Sequence, residues 1–227
     1  GEGVYIDNLR VVKAEEPKTC CSQDKECDDN DLCTTNWCTG VPNGAVCAQR
    51  AVTDFQDNFD DGNASGWIMT PLGNGGYVTW QADDYRSYSK DYSLYAGYTK
   101  TQIYHGFGTG IPAATTPYFY LDKVDDSSPI LIYQRYLDLC TVTGKHCFSA
   151  SVQQKNGNIK TLEQKCASSD GDPLYFWTSK QFGLDEYMGK EIRIIFSLHV
   201  PDSYCTWGTF KEGAYVDDVR VFFKDCN

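Results

Sequence analysis

The sequence predicts an all-β protein: a two-sheet jelly-roll sandwich with a small N-terminal disulfide-rich module and an extra N-terminal strand. Three observations support this fold class. Residues 51–227 contain many short runs of β-branched and aromatic residues, separated by Gly, Asn, Asp and Pro. Six of the eleven cysteines lie within residues 20–47. A segment that begins at Glu2 is repeated near the C-terminus, beginning at Glu212.

Strand signals fill the C-terminal three quarters of the chain. Ile130–Tyr133 and Ile192–Phe196 are rich in β-branched and aromatic residues, and Asn156-Gly157 between two alternating runs predicts a hairpin. No segment shows a sustained helical period with caps. About a dozen short strands over some 175 residues indicate two packed sheets of jelly-roll type.

Composition excludes several classes of protein and favours an extracellular or cell-surface location. A net charge of −11 over 227 residues argues against a nucleic-acid partner, because phosphates attract Lys and Arg. The longest apolar runs, such as Ile192–Leu198, are far shorter than the roughly 20 residues that span a bilayer. Eleven cysteines without a CxxC spacing favour disulfides. With no leader at Gly1, we interpret the sequence as a mature chain or a piece of a longer secreted protein.

The cysteines divide the chain into three predicted domains. Residues 1–13 form an isolated strand, residues 14–50 a disulfide knot and residues 51–227 the sandwich. The knot has few large apolar residues, so cross-links rather than a core must hold it together. Three bridges allow 15 connectivities, and the sequence does not choose among them. The six cysteines are Cys20, Cys21, Cys27, Cys33, Cys38 and Cys47.

Five cysteines remain for the sandwich, so one of them has no partner within it. Cys140 and Cys147 flank a short loop, and we expect a bridge between them. We expect Cys166 to pair with Cys205. Cys226 is then left to bond to the knot, to a following module or to another subunit.

The internal repeat is the most informative feature. Glu2–Val12 aligns without gaps on Glu212–Phe222, with six of eleven positions identical. The second copy ends a domain, so the first copy either ends a preceding domain of a tandem array or has a role of its own. A spare strand has unpaired N–H and C=O groups. It can add to a sheet edge of a neighbouring subunit, which would build an open head-to-tail filament, or fold back onto its own sandwich. The residues expected to make this contact are Val4, Tyr5, Ile6, Leu9 and Val11, together with Cys226.

Strand alternation makes a prediction about the second copy. The alternation places one set of residues on the face that the valines mark as the core face: Tyr215, Asp217, Val219, Val221 and Phe223. A carboxylate there must be paired, hydrogen-bonded or bound to a cation.

Several blocks in residues 51–224 resemble MAM-like jelly rolls, the adhesin domains of gingipains and the domains that follow immune-inhibitor peptidases. The blocks are Phe55–Gly62 with Gly66-Trp67, Ser93–Gly97, Pro129–Tyr136, Tyr187–Phe196 and Gly213–Val221. The resemblance implies a structural calcium ion held by Asp57, Asp60 and Asp217, with Asp61 and Asp218 as further candidates. The alternative is that these acids lie in a solvated turn or accept backbone hydrogen bonds. The knot, over Cys27–Cys38 and Gly44–Cys47, is similar to short repeats of secreted multi-module microbial proteins.

No catalytic constellation is present in the sequence. His105, His146 and His199 are scattered, and GxSxG, HExxH and P-loop motifs are missing. Aromatic residues in or near predicted loops form a sugar-stacking surface in one interpretation and pack the core or its rims in another. They are Trp67, Trp80, Tyr85, Tyr88, Trp177 and Trp207. Asn63 begins a glycosylation sequon on a predicted surface turn.

The sequence therefore predicts an extracellular, non-enzymatic structural or adhesion module. The most specific version of this prediction is a subunit of a filament or surface layer that is joined head-to-tail through the N-terminal strand. The expected partners are further copies or neighbouring modules of the same protein, and glycans. The alternative function is a carbohydrate-binding accessory domain of a secreted hydrolase or peptidase.

Overall fold

The computed structural model describes residues 24–29, 34–41, 44–51, 55–72, 78–104, 109–124, 127–140, 146–167, 175–201 and 211–224. The chain forms two compact units that divide between Ala51 and Val52. The predicted strand of residues 1–13 lies outside the described residues, and so do several predicted site residues. These are Val4, Tyr5, Ile6, Leu9, Val11, Cys20, Cys21, Cys33, Cys205 and Cys226.

The first unit contains a short 3₁₀ helix, Asp24–Cys27, and an antiparallel pair of strands, β1 (Thr34–Val41) and β2 (Gly44–Ala51). A disulfide joins Cys27 to Cys47 and so ties the helical turn to β2. Cys38 is disulfide-bonded as well. The prediction that cross-links hold this module is confirmed for the residues described here.

The second unit is a sandwich, and its described residues form twelve strands. The strands are β3 (Phe55–Asp57), β4 (Ile68–Thr70), β5 (Thr79–Asp83), β6 (Ser93–Gly97), β7 (Ala113–Thr115), β8 (Phe119–Leu121), β9 (Pro129–Asp138), β10 (Cys147–Gln154), β11 (Ile159–Cys166), β12 (Thr178–Gly183), β13 (Lys190–His199) and β14 (Gly213–Phe223). The front sheet has the order β12-β9-β14-β6-β5, with β3 also paired to β14. The back sheet has the order β11-β10-β13-β7-β4, with β8 also paired to β13. All pairs are antiparallel, and the predicted two-sheet sandwich is confirmed.

The core between the sheets combines aliphatic side chains with a cluster of aromatic rings. Trp80, Phe148 and Phe196 are buried, and the Phe148 and Phe196 ring centres lie 6.0 Å apart. Trp67 is stacked on Phe196 at 5.8 Å, and the Trp80 indole N–H donates to the Pro112 carbonyl oxygen at 3.1 Å. Trp67 and Trp80 are thus core residues rather than sugar-stacking ones.

The predicted hairpin is confirmed, and it corrects the predicted disulfides. β10 and β11 meet at a turn in which Gly157 has φ +95°. Their register places Cys147 opposite Cys166, and these two cysteines form the bridge. The expected Cys140–Cys147 and Cys166–Cys205 bridges are therefore wrong. The chain crosses from β9 in the front sheet to β10 in the back sheet between Cys140 and Cys147, so the loop is not a hairpin. Cys140 is disulfide-bonded to a cysteine outside the described residues.

A β-bulge in β14 overturns the predicted alternation. The pairing with β9 shifts just after Asp217, and Asp218 has φ +49°. Val216 before the bulge and Val219 after it both face the core, whereas Tyr215 packs in a separate cluster outside it. The prediction that Tyr215 and Asp217 share the face of Val219 is wrong, because one extra residue reverses the alternation.

Candidate binding site

Three tyrosines form a row across the outer surface of the front sheet. The register places Tyr95 of β6 and Tyr136 of β9 on either side of Tyr215 of β14. The Tyr95 and Tyr215 rings are stacked with centres 4.5 Å apart, and Tyr136 meets Tyr215 edge-on at 5.9 Å. We call these three residues the tyrosine row. Their burial shows that loops cover this half of the sheet.

A glycine makes room for the first ring of the row. A Cβ atom at Gly97 would lie 2.7 Å from Cε1 of Tyr95 and closer still to its Cζ and Oη. The ring therefore leans along β6 over Gly97, and its hydroxyl donates to the backbone carbonyl oxygen of Glu212 at 2.7 Å. Gly213 has φ +115°, and a Cβ atom there would overlap the carbonyl oxygen of Ala96. Both positions require glycine.

The tyrosine row is neutral. Burial raises the pKa of Tyr95, Tyr136 and Tyr215 above the ordinary tyrosine value. All three phenols therefore stay protonated, and the row offers rings and hydroxyl groups but no charge.

One ion pair covers the row at Tyr136, and a second lies next to Tyr175. Arg86 donates through Nη2 to Oε1 of Glu212 at 2.8 Å, and its guanidinium lies 4.5 Å from the centre of the Tyr136 ring. The hydrogen bond to Glu212 raises the pKa of Arg86. Lys211 lies 2.9 Å from Oδ1 of Asp138. Burial lowers the pKa of Lys211, but its hydrogen bonds, including the one to Asp138, outweigh that effect, so the net shift is upward.

Asp217 anchors the loop that carries Arg86. Residues 84–92, which we call the rim loop, connect β5 to β6. Oδ2 of the fully buried Asp217 accepts the backbone N–H groups of Tyr88 at 2.7 Å and Ser89 at 3.1 Å. Oδ1 accepts the N–H of Asp218 at 2.7 Å. Burial raises the pKa of Asp217 to about 6, against the lowering effect of these three hydrogen bonds.

Five aromatic side chains lie at the edge of the row, and we call them the aromatic rim: Tyr85, Tyr88, Tyr175, Phe176 and Trp177. Tyr85 and Tyr88 of the rim loop are 54% and 53% exposed, Tyr175 is 47% exposed and Phe176 is 64% exposed. The ring centre of the half-buried Trp177 lies 5.9 Å from the ring centres of both Tyr88 and Tyr136, so the rim is continuous with the tyrosine row.

The backbone at the rim is strained. Tyr175 has φ +75°, a conformation that large side chains rarely adopt. Its N–H donates to the Leu137 carbonyl oxygen at 3.0 Å, and its hydroxyl accepts from Lys211 at 2.6 Å. These bonds hold an exposed aromatic residue in a costly conformation, as is typical of binding sites.

Sequence reasoning identified part of this site. Tyr85, Tyr88 and Trp177 were candidates for a sugar-stacking surface and lie in the rim, whereas Trp207 lies outside the described residues. The tyrosine row was missed, and so were Tyr175 and Phe176. Three consecutive aromatic residues, Tyr175-Phe176-Trp177, directly after the sequence Gly-Asp-Pro-Leu are a signal that could have identified them.

The predicted calcium ligands are divided between two places. A hollow of about 540 Å³ lies beyond the bulge, and Asp218 rather than Asp217 contributes to it. Its lining residues are Gln56, Asp57, Asn58, Asp60, Asp61, Asp218 and Arg220. Asp217 instead accepts hydrogen bonds from the rim loop.

The oxygen atoms of the hollow suit calcium only in part. Oδ1 of Asp60 is buried without a hydrogen bond to any described residue, which fits a cation ligand. Asp57 accepts from the Phe59 N–H at 2.9 Å and the Trp67 indole N–H at 2.8 Å, and burial raises its pKa. The Arg220 guanidinium lines the same hollow. Among the described residues, no three acidic, histidine or cysteine side chains are close enough to hold a metal ion, and calcium stays a prediction.

Asn63 lies on an exposed turn in the loop between β3 and β4. Its Oδ1 accepts the N–H of Ser65 at 2.7 Å, and its own N–H donates to Asp61 at 2.8 Å. Glycosylation of this residue stays a prediction. In the part of the chain that is described, no helix is long and apolar enough to cross a membrane.

No protein-family model and no curated protein matches the chain. Among solved structures, it is similar to the CBM22-1 xylan-binding domain of Paenibacillus barcinonensis Xyn10C, with 12% identity and a TM-score of 0.44 over 78% of this chain and 97% of that one. It is similar to the K2 cleaved adhesin domain of Lys-gingipain, with 10% identity and a TM-score of 0.45 over 74% and 97%. It is also similar to carbohydrate-binding modules of the β-sandwich superfamily, with 10% identity and a TM-score of 0.48 over 93% and 76%.

The resemblance to gingipain adhesin domains stated from the sequence thus has a structural counterpart. The resemblances to MAM domains and to the Cys-rich repeat stay predictions. At TM-scores below 0.5 these similarities do not identify a ligand, and the function rests on the residues of this chain.

Proposed function

We propose that the sandwich of residues 52–227 is an extracellular, non-enzymatic module that binds carbohydrate through the aromatic rim. The observation that carries this proposal is the exposure of Tyr85, Tyr88, Tyr175 and Phe176 next to the half-buried Trp177. Large aromatic side chains normally bury most of their surface. Neighbouring exposed rings mark an interaction surface, and flat rings with polar edges suit the C–H faces of sugars.

The rim is preorganised, which favours binding. Arg86 on the rim loop is held against Tyr136 and Glu212, and Trp177 packs against Tyr136. Because these side chains are fixed before a ligand arrives, little conformational entropy is lost on association.

The carboxylates beside the rim favour binding over hydrolysis. A glycosidase uses one protonated and one ionised carboxyl group on either side of the scissile bond. Glu212 and Asp138 are each held in an ion pair, with Arg86 and Lys211 respectively. The described disulfides, Cys27–Cys47 and Cys147–Cys166, support an extracellular location.

The filament hypothesis depends on residues 1–13, which lie outside the described residues. Of the two functions predicted from the sequence, carbohydrate binding is the one that the described residues support. A structural or adhesive role through strand exchange stays a prediction.

Affinity gel electrophoresis with soluble polysaccharides tests the proposal. We expect Tyr88→Ala and Phe176→Ala each to weaken retention about tenfold, because covering a large apolar side chain contributes about 1.5–3 kcal/mol and about 1.4 kcal/mol is tenfold. Tyr120→Ala is the matched control, since Tyr120 is a 43% exposed tyrosine of β8 in the back sheet. Equal retention of all three variants and the wild type would contradict a site at the rim.

A further inference from the structure

Two of the described cations beside the rim, Arg86 and Lys211, are ion-paired with carboxylates of the same face, whereas Lys90 of the rim loop is exposed. Arg86 and Glu212 form a two-point ion pair, and the side chain of Glu212 is only 17% exposed. Lys211 is paired with Asp138, and these side chains are 14% and 9% exposed. A ligand anion could use either cation only by displacing a largely buried carboxylate.

The other carboxylates on this face also have partners. Asp83 accepts the N–H of Tyr85 at 3.0 Å and the side-chain amide of Gln102 at 3.4 Å. Asp217 accepts the backbone N–H groups of the rim loop. Glu212, Asp138, Asp83 and Asp217 therefore each have a partner within the protein, whereas Asp84, Lys90 and Asp91 of the rim loop are exposed.

We propose that the aromatic rim takes an uncharged glycan, one that presents only hydroxyl groups and C–H faces; this rests on the proposed function above. Hydroxyl groups can use the remaining lone pairs of Glu212 and Asp138 while both ion pairs stay intact. An anionic sugar would leave one of these carboxylates partly buried without its cation, which is strongly unfavourable.

Long-range electrostatics also disfavour an anionic glycan. With Asp84, Lys90 and Asp91 of the rim loop included, six carboxylates against three cations give the described residues of this face a net charge of −3. The whole chain carries −11. Within a screening length of roughly 8–10 Å, both charges repel a polyanion.

The test compares three classes of polysaccharide on the full chain by affinity electrophoresis at low and physiological salt. The neutral probes are mixed-linkage β-glucan, galactomannan and arabinoxylan, the anionic probes are alginate and heparin, and the cationic probe is chitosan. We expect retention by at least one neutral polymer, insensitive to salt and lost in Tyr88→Ala. Salt-sensitive retention by a charged polymer that Tyr88→Ala also abolishes would overturn this inference but keep the proposed function. Retention by no polymer of any class would overturn the proposed function itself.

A matched pair of variants tests the role of the ion pair. Glu212→Gln removes the partner of Arg86, and we expect it to raise retention by alginate about tenfold at low salt. Glu186→Gln makes the same change in net charge at an exposed pair with Lys160, on the 3₁₀ helix of residues 185–187. We expect no gain from it. A gain in both variants, or in neither, would show that the Arg86–Glu212 pair does not exclude anions.

Discussion

Gly97 is the position where one added methyl group has a large and specific predicted effect. In Gly97→Ala, the new Cβ atom would lie 2.7 Å from Cε1 of Tyr95, well inside ordinary contact, and closer still to Cζ and Oη. The Tyr95 ring is fully buried and stacked on Tyr215 at 4.5 Å, so it has no open space to move into. Its displacement would also break the hydrogen bond to the Glu212 carbonyl oxygen.

The magnitude follows from these two losses. Overpacking a closely packed position costs about 1–3 kcal/mol, and the lost hydrogen bond adds about 1 kcal/mol. We expect the free energy of unfolding to fall by about 2–4 kcal/mol, which lowers Tm by roughly 4–16 °C for a unit of this size. Thermal unfolding followed by near-ultraviolet circular dichroism measures this directly. Glycan retention is expected to fall as well, because Tyr95 positions Tyr215 and the backbone of Glu212.

Two controls make the result decisive. Gly66→Ala adds the same methyl group where no atom lies within 4 Å, and we expect Tm to be unchanged or slightly raised. In a Tyr95→Ala background, Gly97→Ala is expected to cost almost nothing, because the clashing ring is gone. A Tm of Gly97→Ala within a degree of wild type, or an equal cost in both backgrounds, would refute the packing argument.

Two further predictions concern calcium and the N-terminal segment. Calcium at 100 times its Kd is expected to stabilise the sandwich by about 2.7 kcal/mol and so to raise its Tm, and EDTA is expected to reverse the rise. Asp60→Asn is expected to abolish the rise, because Oδ1 of Asp60 has no hydrogen bond to a described residue and fits a calcium ligand. A wild-type Tm that responds to neither calcium nor EDTA contradicts the calcium prediction. Deletion of residues 1–13 is expected to remove any polymer seen by electron microscopy, while the far-ultraviolet circular dichroism spectrum keeps its β signature. Polymers that persist after the deletion, or a wild-type protein that is only monomeric, contradict strand exchange.

The sandwich could be predicted because its signals are local. The Asn156-Gly157 turn requires only the residues on either side of it, and strands such as Ile192–Phe196 are evident from composition. Reasoning from local sequence patterns failed at the bulge in β14. A period of two assumes an unbroken strand, whereas Asp218 adopts a left-handed conformation that inserts one residue and exchanges the faces. The poor strand former at this position, in an Asp-Asp pair, is the only local sign of it.

The disulfides and the rim could not be predicted because they depend on topology. Cys140 and Cys147 are close in sequence but begin and end a crossing between sheets, so Cys147 pairs within its own sheet with Cys166. Tyr88 and Trp177 are far apart in sequence and meet only because the rim loop and the segment before β12 lie at the same end of the front sheet. Alternation along a single strand contains no information about a tertiary contact of this kind.

The structure gives the internal repeat a chemical meaning that alignment alone does not. Four of the six positions identical in Glu2–Val12 correspond to residues of the candidate site. Glu212 pairs with Arg86, Gly213 adopts φ +115° against the neighbouring strand, Tyr215 forms the centre of the tyrosine row and Asp217 holds the rim loop. By contrast, three of the four core-facing positions differ between the copies, as interchangeable core residues do: Val4 and Ala214, Ile6 and Val216, and Leu9 and Val219, with only Val11 and Val221 identical. A strand copied only for its β-forming character would keep the core pattern and lose these four residues. The tandem array predicted from the sequence would explain why these four residues are retained, and that array stays a prediction.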